Sequence, residues 1–466
     1  MAAGAAFALL SAAMVSAALP ARADEAKPAT SGAERASATA TPPGEPSDER
    51  ALPDYDGRGG PATTPGQALL WVPRVILFPP YVVAEFVIRR PLGWLIAGAE
   101  RSGLPAWLYD FFTFDDHRAG VVPTVLIDFD FYPSVGLYAF WNDVGFKGHG
   151  LRLRGAIGGE EWLAASFSDR IAFDEEGRDR LRVDVRAQRR PDFTFFGLGP
   201  DTRQNALVRY GQDLREATLA FDKGWWRASS LHAEVGLRAV DFRRGGYDDD
   251  PTLDEEVAAG ALPLPPGYED GYTLVRSRLA VAVDNRLARP ASVAGWRLEA
   301  YGTQATNVRQ EGTFIGYGGS GGYAFDLNDR NRIVTLGALV RFVDPIGDAQ
   351  IPFTELVTLG GAASPMRGLY PGRLYDRSAA AAGLGYRWPI WIWLDGAIRM
   401  EVGNVFGEHL DGFRLERLRW SGALGVESVG TPDNSFELMV GAGSETFESG
   451  GKIDSFRFVF GTTSGF

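Results

Sequence analysis

Apolar and polar side chains alternate along most of this chain in segments of about ten residues, the length of a transmembrane β-strand. The alternation is clean in LRLR at residues 151–154 and in LRVDVR at residues 181–186. It recurs near the end, at Phe456, Phe458 and Phe460. Successive side chains of a strand point to opposite faces, so a period of two predicts strands whose two faces meet different environments.

Sixteen such segments follow one another to the end of the chain. They are 121–131, 134–142, 148–158, 161–173, 180–190, 205–222, 229–243, 272–285, 293–306, 312–326, 331–343, 377–388, 392–404, 417–428, 434–444 and 454–465. The first two also fit one bent strand, and a soluble sandwich would alternate too. The even number and the length of the segments favour a membrane protein. We therefore predict an all-β fold, a sixteen-stranded antiparallel transmembrane β-barrel over residues 120–466, preceded by a short N-terminal helical segment.

The composition fits a barrel better than a bundle of membrane helices. The mean hydropathy of −0.11 is too low for several apolar helices of about 20 residues. The 58 glycines and the 12% of aromatic residues suit turns and aromatic girdles. The absence of cysteine excludes a thiol nucleophile, a cysteine-ligated zinc site and a lipoprotein anchor. The net charge of −12 argues against a nucleic-acid partner.

The N-terminal part divides into three segments. Residues 1–23 have the apolar core and small-residue cleavage site of a secretory signal peptide, but no Lys or Arg precedes the core, so the true start lies upstream or the signal is atypical. Residues 24–62 are rich in Ala, Pro, Thr, Ser and Glu and predict a disordered linker. Residues 63–119 contain apolar runs cut by prolines, which predicts short amphipathic helices on the membrane surface, in the periplasm, or under or inside the barrel.

The chain ends at Phe466, directly after the last candidate strand. A terminal aromatic residue that closes an alternating strand resembles the signal that outer-membrane proteins present to the general barrel-assembly machinery. We predict that Phe466 is this assembly signal. The expected location is the bacterial outer membrane, with outer-membrane lipids around the barrel.

A long loop, residues 344–376, separates the eleventh and twelfth candidate strands, and loops of this length usually have a function. It contains an apolar residue, then Arg-Gly, then Leu and an aromatic residue, after a Gly-Gly pair. This resembles the long loop of the BamA/TamA superfamily of outer-membrane proteins, the bacterial surface antigen type. The motif positions are Met366, Arg367, Gly368, Leu369 and Tyr370.

Three strand segments resemble the same superfamily. Residues 386–390 read YRWPI, residues 399–406 read RMEVGNVF, and DNR at 284–286 is followed by Pro290 and Gly295. Five strands follow the loop in that family, and five candidate strands follow it here. The resemblance covers residues 120–466. The matching positions are Asp284, Arg286, Tyr386, Arg387, Pro389 and Gly403.

The resemblance implies that the loop folds back into the barrel and that Arg367 pairs with an acidic residue of the barrel wall. That acidic position is Glu401, where the family usually has Asp. A buried guanidinium is costly unless it is paired, so we expect a bidentate Arg367–Glu401 pair. A Glu that normally precedes Tyr386 is Gly385 here, which removes one possible partner. The alternative is an exposed Arg367 and a Glu401 that faces solvent in the lumen.

The resemblance implies a protein-insertion or translocation pore whose clients enter at the seam between the first and last strands. Unfolded outer-membrane proteins or accessory periplasmic proteins would be its partners. Residues 67–114 match neither a POTRA domain nor a patatin-type lipase, so the chain resembles a stand-alone barrel of the superfamily. The alternatives are a lipid or small-solute transport channel, and a structural or interaction barrel without transport.

The sequence offers little catalytic chemistry. The four histidines, His117, His149, His232 and His409, show no metal-ligand spacing, and no nucleophile elbow precedes the barrel. We predict no enzyme activity, no metal and no cofactor. The acidic residues within 248–256 fit either a calcium-binding loop or, preferably, a solvated extracellular loop.

Overall fold

The computed structural model describes residues 102–286, 294–327, 332–361, 365–391, 394–428 and 435–463. Sixteen strands in these ranges form one closed antiparallel sheet, so the predicted fold class is confirmed. Each predicted segment overlaps one strand. The strands are β1 (Ala119–Asp128), β2 (Ser134–Asn142), β3 (His149–Ile157), β4 (Leu163–Ala172), β5 (Arg180–Phe195), β6 (Val208–Gly224), β7 (Ser230–Arg244), β8 (Tyr272–Asp284), β9 (Gly295–Asn307), β10 (Gly312–Asp326), β11 (Ile333–Ile346), β12 (Ser378–Trp391), β13 (Leu394–Phe406), β14 (Arg419–Ser428), β15 (Ser435–Ser444) and β16 (Ile453–Thr463).

Each strand pairs with the next one along the chain, and β16 pairs with β1 to close the barrel. The connections differ between its two ends. One end, the loop end, carries the long segments 196–207, 245–271 and 347–377. The other end, the turn end, carries short connections such as 143–148 and 225–229. Short turns at one end and long loops at the other are typical of outer-membrane barrels.

The outward face of the barrel is apolar and exposed. Leu137, Leu153, Leu237 and Leu279 each expose more than half of their surface. Soluble monomers rarely expose a continuous apolar surface of this extent, whereas a barrel in lipid must do so. Exposed aromatic residues near the turn end form a partial girdle: Trp141, Phe146, Phe173, Trp225, Trp226 and Tyr323.

The lumen is packed at the loop end. Inward residues of the strands and the connection 347–377 form one buried cluster, which includes Leu214, Val240, Leu274, Phe314, Val343, Leu359, Met366, Leu369 and Leu374. Toward the turn end the inward positions are mainly charged, as at Glu234, Arg276 and Arg278. The long loop therefore folds into the barrel, as the resemblance implies.

Two features at the start of the barrel refine the sequence predictions. Residues 121–142 form two strands, so the interpretation as one bent strand is wrong. Before β1, helix α1 (Leu104–Phe112) is followed by a two-residue strand, Thr113–Phe114, that pairs with the start of β1. The helix ends at Phe112 because Thr113 has extended backbone angles, and Asp115 to His117 then form a tight turn with left-handed angles.

Other predictions concern residues outside the described part of the chain. These are the signal peptide 1–23, the linker 24–62, most of the helical segment 63–119 and the assembly signal Phe466. No helix in the described residues has the length and apolar character needed to cross a membrane.

Candidate functional site at the lumen loop and the barrel seam

The connection between β11 and β12, residues 347–377, is called the lumen loop below. Two of its short strands, Val357–Leu359 and Leu374–Asp376, pair with each other and form the base of a hairpin. Gly372 has φ +74, and a Cβ there would lie 2.2 Å from the carbonyl oxygen of Thr194. Only glycine fits this left-handed position and close approach. The loop is thus fixed against β5 before its tip enters the lumen.

Glu401 holds the tip of the lumen loop through its backbone. One carboxylate oxygen, Oε2, accepts hydrogen bonds from the amides of Met366 at 2.6 Å and Arg367 at 3.2 Å. Met366 has φ +69, a conformation that is strained for a residue with a long side chain. The two charge-assisted bonds stabilise this turn. Glu401 thus contacts the main chain of Arg367.

The guanidinium of Arg367 forms its ion pair elsewhere. Nη1 lies 2.6 Å from Oε1 of Glu437, and both side chains are more than nine-tenths buried. This corrects the expected guanidinium pair with Glu401. The physical reason is that Glu401 is engaged by the loop amides, while the side chain of Arg367 extends toward the turn end, where Glu437 projects from β15.

Gly368 lies against the backbone of β15. Its amide donates to Oγ of Ser421 at 2.7 Å, and its carbonyl accepts from Oγ of Ser455 at 2.9 Å. A Cβ at this position would lie only 2.0 Å from the carbonyl oxygen of Ala442. Glycine follows arginine in this motif because no side chain fits between the loop and the wall.

Tyr370 contacts both sides of the closure between β1 and β16. Its hydroxyl donates to the carboxylate of Asp130, which follows β1, and lies 3.4 Å from the carbonyl oxygen of Phe456 on β16. The ring lies against Phe131 and Phe196. The last residue of the motif therefore joins the lumen loop to the closure.

This closure, called the seam below, is short. Within the described residues, β1 and β16 pair through three residues each: Leu126 with Gly461, Ile127 with Phe460, and Asp128 with Val459. The other neighbouring barrel strands pair over at least seven residues within the described ranges, the shortest case being β14 with β15. In the part of the chain that the structure describes, the seam therefore has the fewest paired residues of any two neighbouring barrel strands.

The side chain of Arg457 adds contacts across the seam, where few backbone hydrogen bonds join the two strands. Its side chain is fully buried on β16, and Nη2 lies 2.6 Å from Oδ2 of Asp128 on β1. Nη1 donates to the carbonyl oxygen of Arg367 at 3.1 Å. One guanidinium thus links both seam strands and the lumen loop. Sequence reasoning missed Arg457, although it alternates with Phe456 and Phe458 and so faces the lumen.

A second arginine of the lumen loop, Arg373, is anchored near the loop end. It donates to the hydroxyl and the carbonyl of Thr202 and lies 3.5 and 3.7 Å from the carboxylates of Asp454 and Glu445. Burial, and the charge of the neighbouring Arg419, lower the pKa of Arg373 to about 10. The sequence analysis did not identify this anchor.

The remaining motif residues lie in different parts of the barrel. Arg387 faces the lumen 3.7 Å from Glu427, and Gly403 lies on the same inward face of β13 as Glu401. Arg286 pairs with the buried Asp284 at the end of β8. Tyr386 stacks on Trp388, and Pro389 lies at an irregularity in the pairing of β12.

One of these motif residues, Arg286, lines a cavity that the lumen loop also lines. A space of about 330 Å³ is lined by Arg286, Arg399, Glu401 and the loop residue Pro365. Glycines at inward positions of β10 to β12 leave room for it. The structure therefore connects the Asp284–Arg286 pair to the loop through this cavity.

Two carboxylates and a histidine form a cluster at the loop end of the barrel. Ligand atoms of Asp344, Glu408 and His409 lie within 4.8 Å of one another. Arg377, however, already binds the carboxylates of Asp344 and Glu408 at 2.8 and 3.0 Å. This guanidinium supplies the positive charge that a metal ion would supply.

The acidic segment 248–256 belongs largely to a helix start. Helix α2 (Leu253–Ala258) begins with a capping box between Thr252 and Glu255, and Asp250 pairs with Arg209 at 2.7 Å. These carboxylates cap a helix and form an ion pair, rather than surrounding one point as calcium ligands do.

Replacing Arg457 with methionine should weaken the seam without leaving a cavity. We expect the free energy of unfolding to fall by about 1.5–3 kcal/mol, the usual contribution of a hydrogen bond to a charged group. Single-channel recordings in planar bilayers should show more frequent openings. Arg278→Met is the control, because Arg278 lies over the ring of Tyr301 away from the seam. Equal behaviour of the two variants would contradict a role of Arg457 in closure.

The chain was compared with known proteins. No family model matches it, and no curated protein matches it. Among solved structures, BamA from Haemophilus ducreyi lacking POTRA domains 1-3 is similar with a TM-score of 0.52 and 12% identity, over 74% of this chain and 70% of that chain. CdiB from Acinetobacter baumannii gives a TM-score of 0.44 and 12% identity, over 73% of this chain and 59% of that one.

At this level of identity the similarity to BamA concerns the fold. It agrees with the closed antiparallel sheet of this chain. The protein therefore has the fold of a closed antiparallel β-barrel similar to that of BamA.

Proposed function

We propose that this protein inserts or translocates other proteins through the seam of its barrel, in the outer membrane. The observation that carries the proposal is the three-residue pairing of β1 with β16. Side chains and the lumen loop, rather than a full backbone ladder, hold this closure together. Such a closure can open at a much lower cost than any other strand pair of the barrel.

The edge of β1 offers a place for a client strand. Residues 119 and 120 pair with Thr113–Phe114, and residues 126–128 pair with β16. Residues 121–125 have no strand partner on this side within the described part of the chain, and Pro123 in their centre has no amide hydrogen. An unpaired edge is a template for another strand, above all in lipid, where water cannot satisfy it.

The packed lumen disfavours the channel alternative. The lumen loop and inward side chains fill the loop end of the barrel, so a lipid or small solute could not cross without moving the loop. A seam that opens sideways needs no such passage. Under the proposal the partners are outer-membrane lipids, unfolded outer-membrane proteins or accessory periplasmic proteins, and the assembly machinery during biogenesis.

Locking the seam tests the proposal. The chain has no cysteine, so Ile127→Cys and Phe460→Cys can be combined to form one disulfide between register partners. The matched control joins Ala139→Cys and Leu153→Cys, register partners on β2 and β3. Each protein is reconstituted in vesicles, and the folding rate of an added unfolded barrel protein is measured by heat-modifiable gel migration.

We expect the parent and the control to accelerate client folding. The oxidised seam variant should fall to the rate of empty vesicles and recover with reductant. If the locked seam retains the parent rate, clients do not use the seam. If the parent itself does not accelerate client folding, the proposed insertion function is wrong, and the structural or interaction barrel becomes the preferred interpretation.

A further inference from the structure

We propose that the outward wall of β2 to β6 binds a phosphate-bearing lipid, the phosphorylated glycolipid of the outer leaflet. Its acyl chains lie in an apolar groove of this wall, and its phosphates meet arginines at one end of the groove. The inference rests on the outer-membrane location in the proposed function. It requires neither the seam nor a client protein, so the two proposals can fail separately.

A groove of about 710 Å³ crosses the outward face of the barrel from β2 to β6. Its floor is a row of small register partners on three neighbouring strands, Gly155, Ala165 and Ala187. Larger apolar side chains, exposed on the same face, border this row on both sides. They are Ile157 and Leu163 toward the loop end, and Leu153, Phe167 and Val185 toward the turn end. A hydrocarbon chain in this groove contacts apolar atoms on three sides.

The small residues of the floor lead to a charged one, Arg215 on β6. Arg215 is the register partner of Ala187 and, on its other side, of Ala239. Its side chain is 68% exposed, and Nη1 lies 3.8 Å from a carboxylate oxygen of Asp241, a loose ion pair. A guanidinium on a lipid-facing wall is costly unless it reaches the membrane surface and meets an opposite charge there. The alanines beside Arg215 leave room for a headgroup that supplies this charge.

Four arginines lie around this end of the groove and are called the arginine rim: Arg189, Arg215, Arg243 and Arg309. Asp213 is shared by two of them, at 2.7 Å from Arg189 and 3.2 Å from Arg243. Asp241 serves the other two, at 2.7 and 3.8 Å. Glu161 adds a contact of 2.6 Å with Arg243. Among the described side chains, three carboxylates thus pair with four guanidinium groups, and an anionic headgroup balances the fourth charge.

The arginine rim lies where the apolar wall ends. Along β6, Leu219 and Phe221 continue the outward face from Arg215 toward the turn end. Long loops of outer-membrane barrels are extracellular, so the loop end lies at the outer leaflet. The lipid phosphates at this level belong to phosphorylated glycolipid. The rim arginines of β5, β6 and β7 span about 10 Å across the strands, a width that suits a headgroup with more than one phosphate.

The charge at its end distinguishes this groove from others on the barrel. Grooves of about 700 and 740 Å³ also lie on the outward face, at β5 to β10 and at β10 to β14. The outward residues that line them are uncharged, such as Leu279 and Ile315 in the first and Leu384 and Met400 in the second. An apolar groove by itself accepts any acyl chain, whereas the arginine rim selects for phosphate.

Two matched pairs of variants test the site. Arg215→Gln removes the rim charge next to the groove floor, and its control is Arg244→Gln, an arginine at the loop end that is also 68% exposed but does not line the groove. Gly155→Leu fills the groove floor, where a Cβ meets no atom within 4 Å. Its control is Gly302→Leu, at an equally open glycine in the uncharged groove at β5 to β10.

The full-length proteins are placed in phosphatidylcholine nanodiscs that contain increasing amounts of lipid A or, separately, of phosphatidylglycerol. Native mass spectrometry measures the fraction of protein that retains the added lipid. We expect the parent and both controls to retain lipid A, and each site variant to bind it about tenfold more weakly, because it loses a charge-assisted contact or the chain contact in the groove. Thermal unfolding without lipid A should be the same for all five proteins, since the substituted positions are exposed.

The proposal is overturned if the parent does not prefer lipid A to phosphatidylcholine, or if either site variant retains lipid A as the parent does. An equal loss in a control variant would also overturn it, because the effect would then not belong to the groove and its rim. Tighter binding of phosphatidylglycerol than of lipid A would contradict the assignment to the glycolipid of the outer leaflet. None of these outcomes bears on the locked-seam assay, which measures client folding.

Discussion

Arg367→Ala should destabilise the barrel more than any other single substitution of the loop motif that leaves the backbone in place. The variant leaves the carboxylate of Glu437 buried without its ion-pair partner. Breaking a buried pair from one side costs about 3–5 kcal/mol. We expect a corresponding fall in the free energy of unfolding in urea, followed by tryptophan fluorescence and heat-modifiable migration.

Two pairs of variants test the assignment of the partner. Glu437→Gln should destabilise strongly, whereas Glu401→Gln should do so weakly, because a glutamine oxygen can still accept from the loop amides. The double variant Arg367→Met/Glu437→Leu should recover most of the loss, since an apolar pair leaves no buried charge. The opposite order of the two glutamine variants would restore Glu401 as the partner of the guanidinium.

Gly368→Ala should displace the tip of the lumen loop. The added Cβ would lie 2.0 Å from the carbonyl oxygen and 2.4 Å from the carbonyl carbon of Ala442, so the loop must move away from β15. That movement breaks the hydrogen bonds to Ser421 and Ser455. We expect a loss of about 1–3 kcal/mol from steric overlap and more from the lost bonds. In planar bilayers the conductance should rise and become irregular.

Gly246→Ala provides the control. A Cβ at Gly246 meets open space, and its backbone angles are ordinary, so the variant should match the parent in stability and conductance. If Gly368→Ala also matches the parent, the loop tip does not rest on β15 in solution. The mechanism in which this loop stabilises the seam would then have to be abandoned.

The loop motif was only partly readable from the sequence. The resemblance indicated that the loop enters the barrel, which the structure confirms, and that the guanidinium of Arg367 pairs with Glu401, which is wrong, because Glu401 binds the backbone amide of Arg367 instead. It did not identify Glu437, although that residue lies between Phe436 and Leu438 in an alternating strand and must face inward. Several inward acids were available, and only the depth of the loop decides which one meets the guanidinium.

The sequence predictions about metal sites and catalysis were tested only in part. In the acidic segment 248–256, Glu255 takes part in a helix cap and Asp250 forms an ion pair. His409, in the cluster at the loop end, hydrogen-bonds to the carboxylate of Asp344, which lies far from it in the sequence. The absence of enzyme activity, metal and cofactor stays a prediction.

The sequence by itself determined the strands and their two faces, because a period of two is a local property that each segment carries without its neighbours. Only the tertiary structure decided how the barrel closes. Arg457 and Asp128 are 329 positions apart, and the three-residue seam depends on the relative register of the first and last strands. That register is set by the closure of the whole sheet and by the loop seated inside it, and no local pattern encodes either.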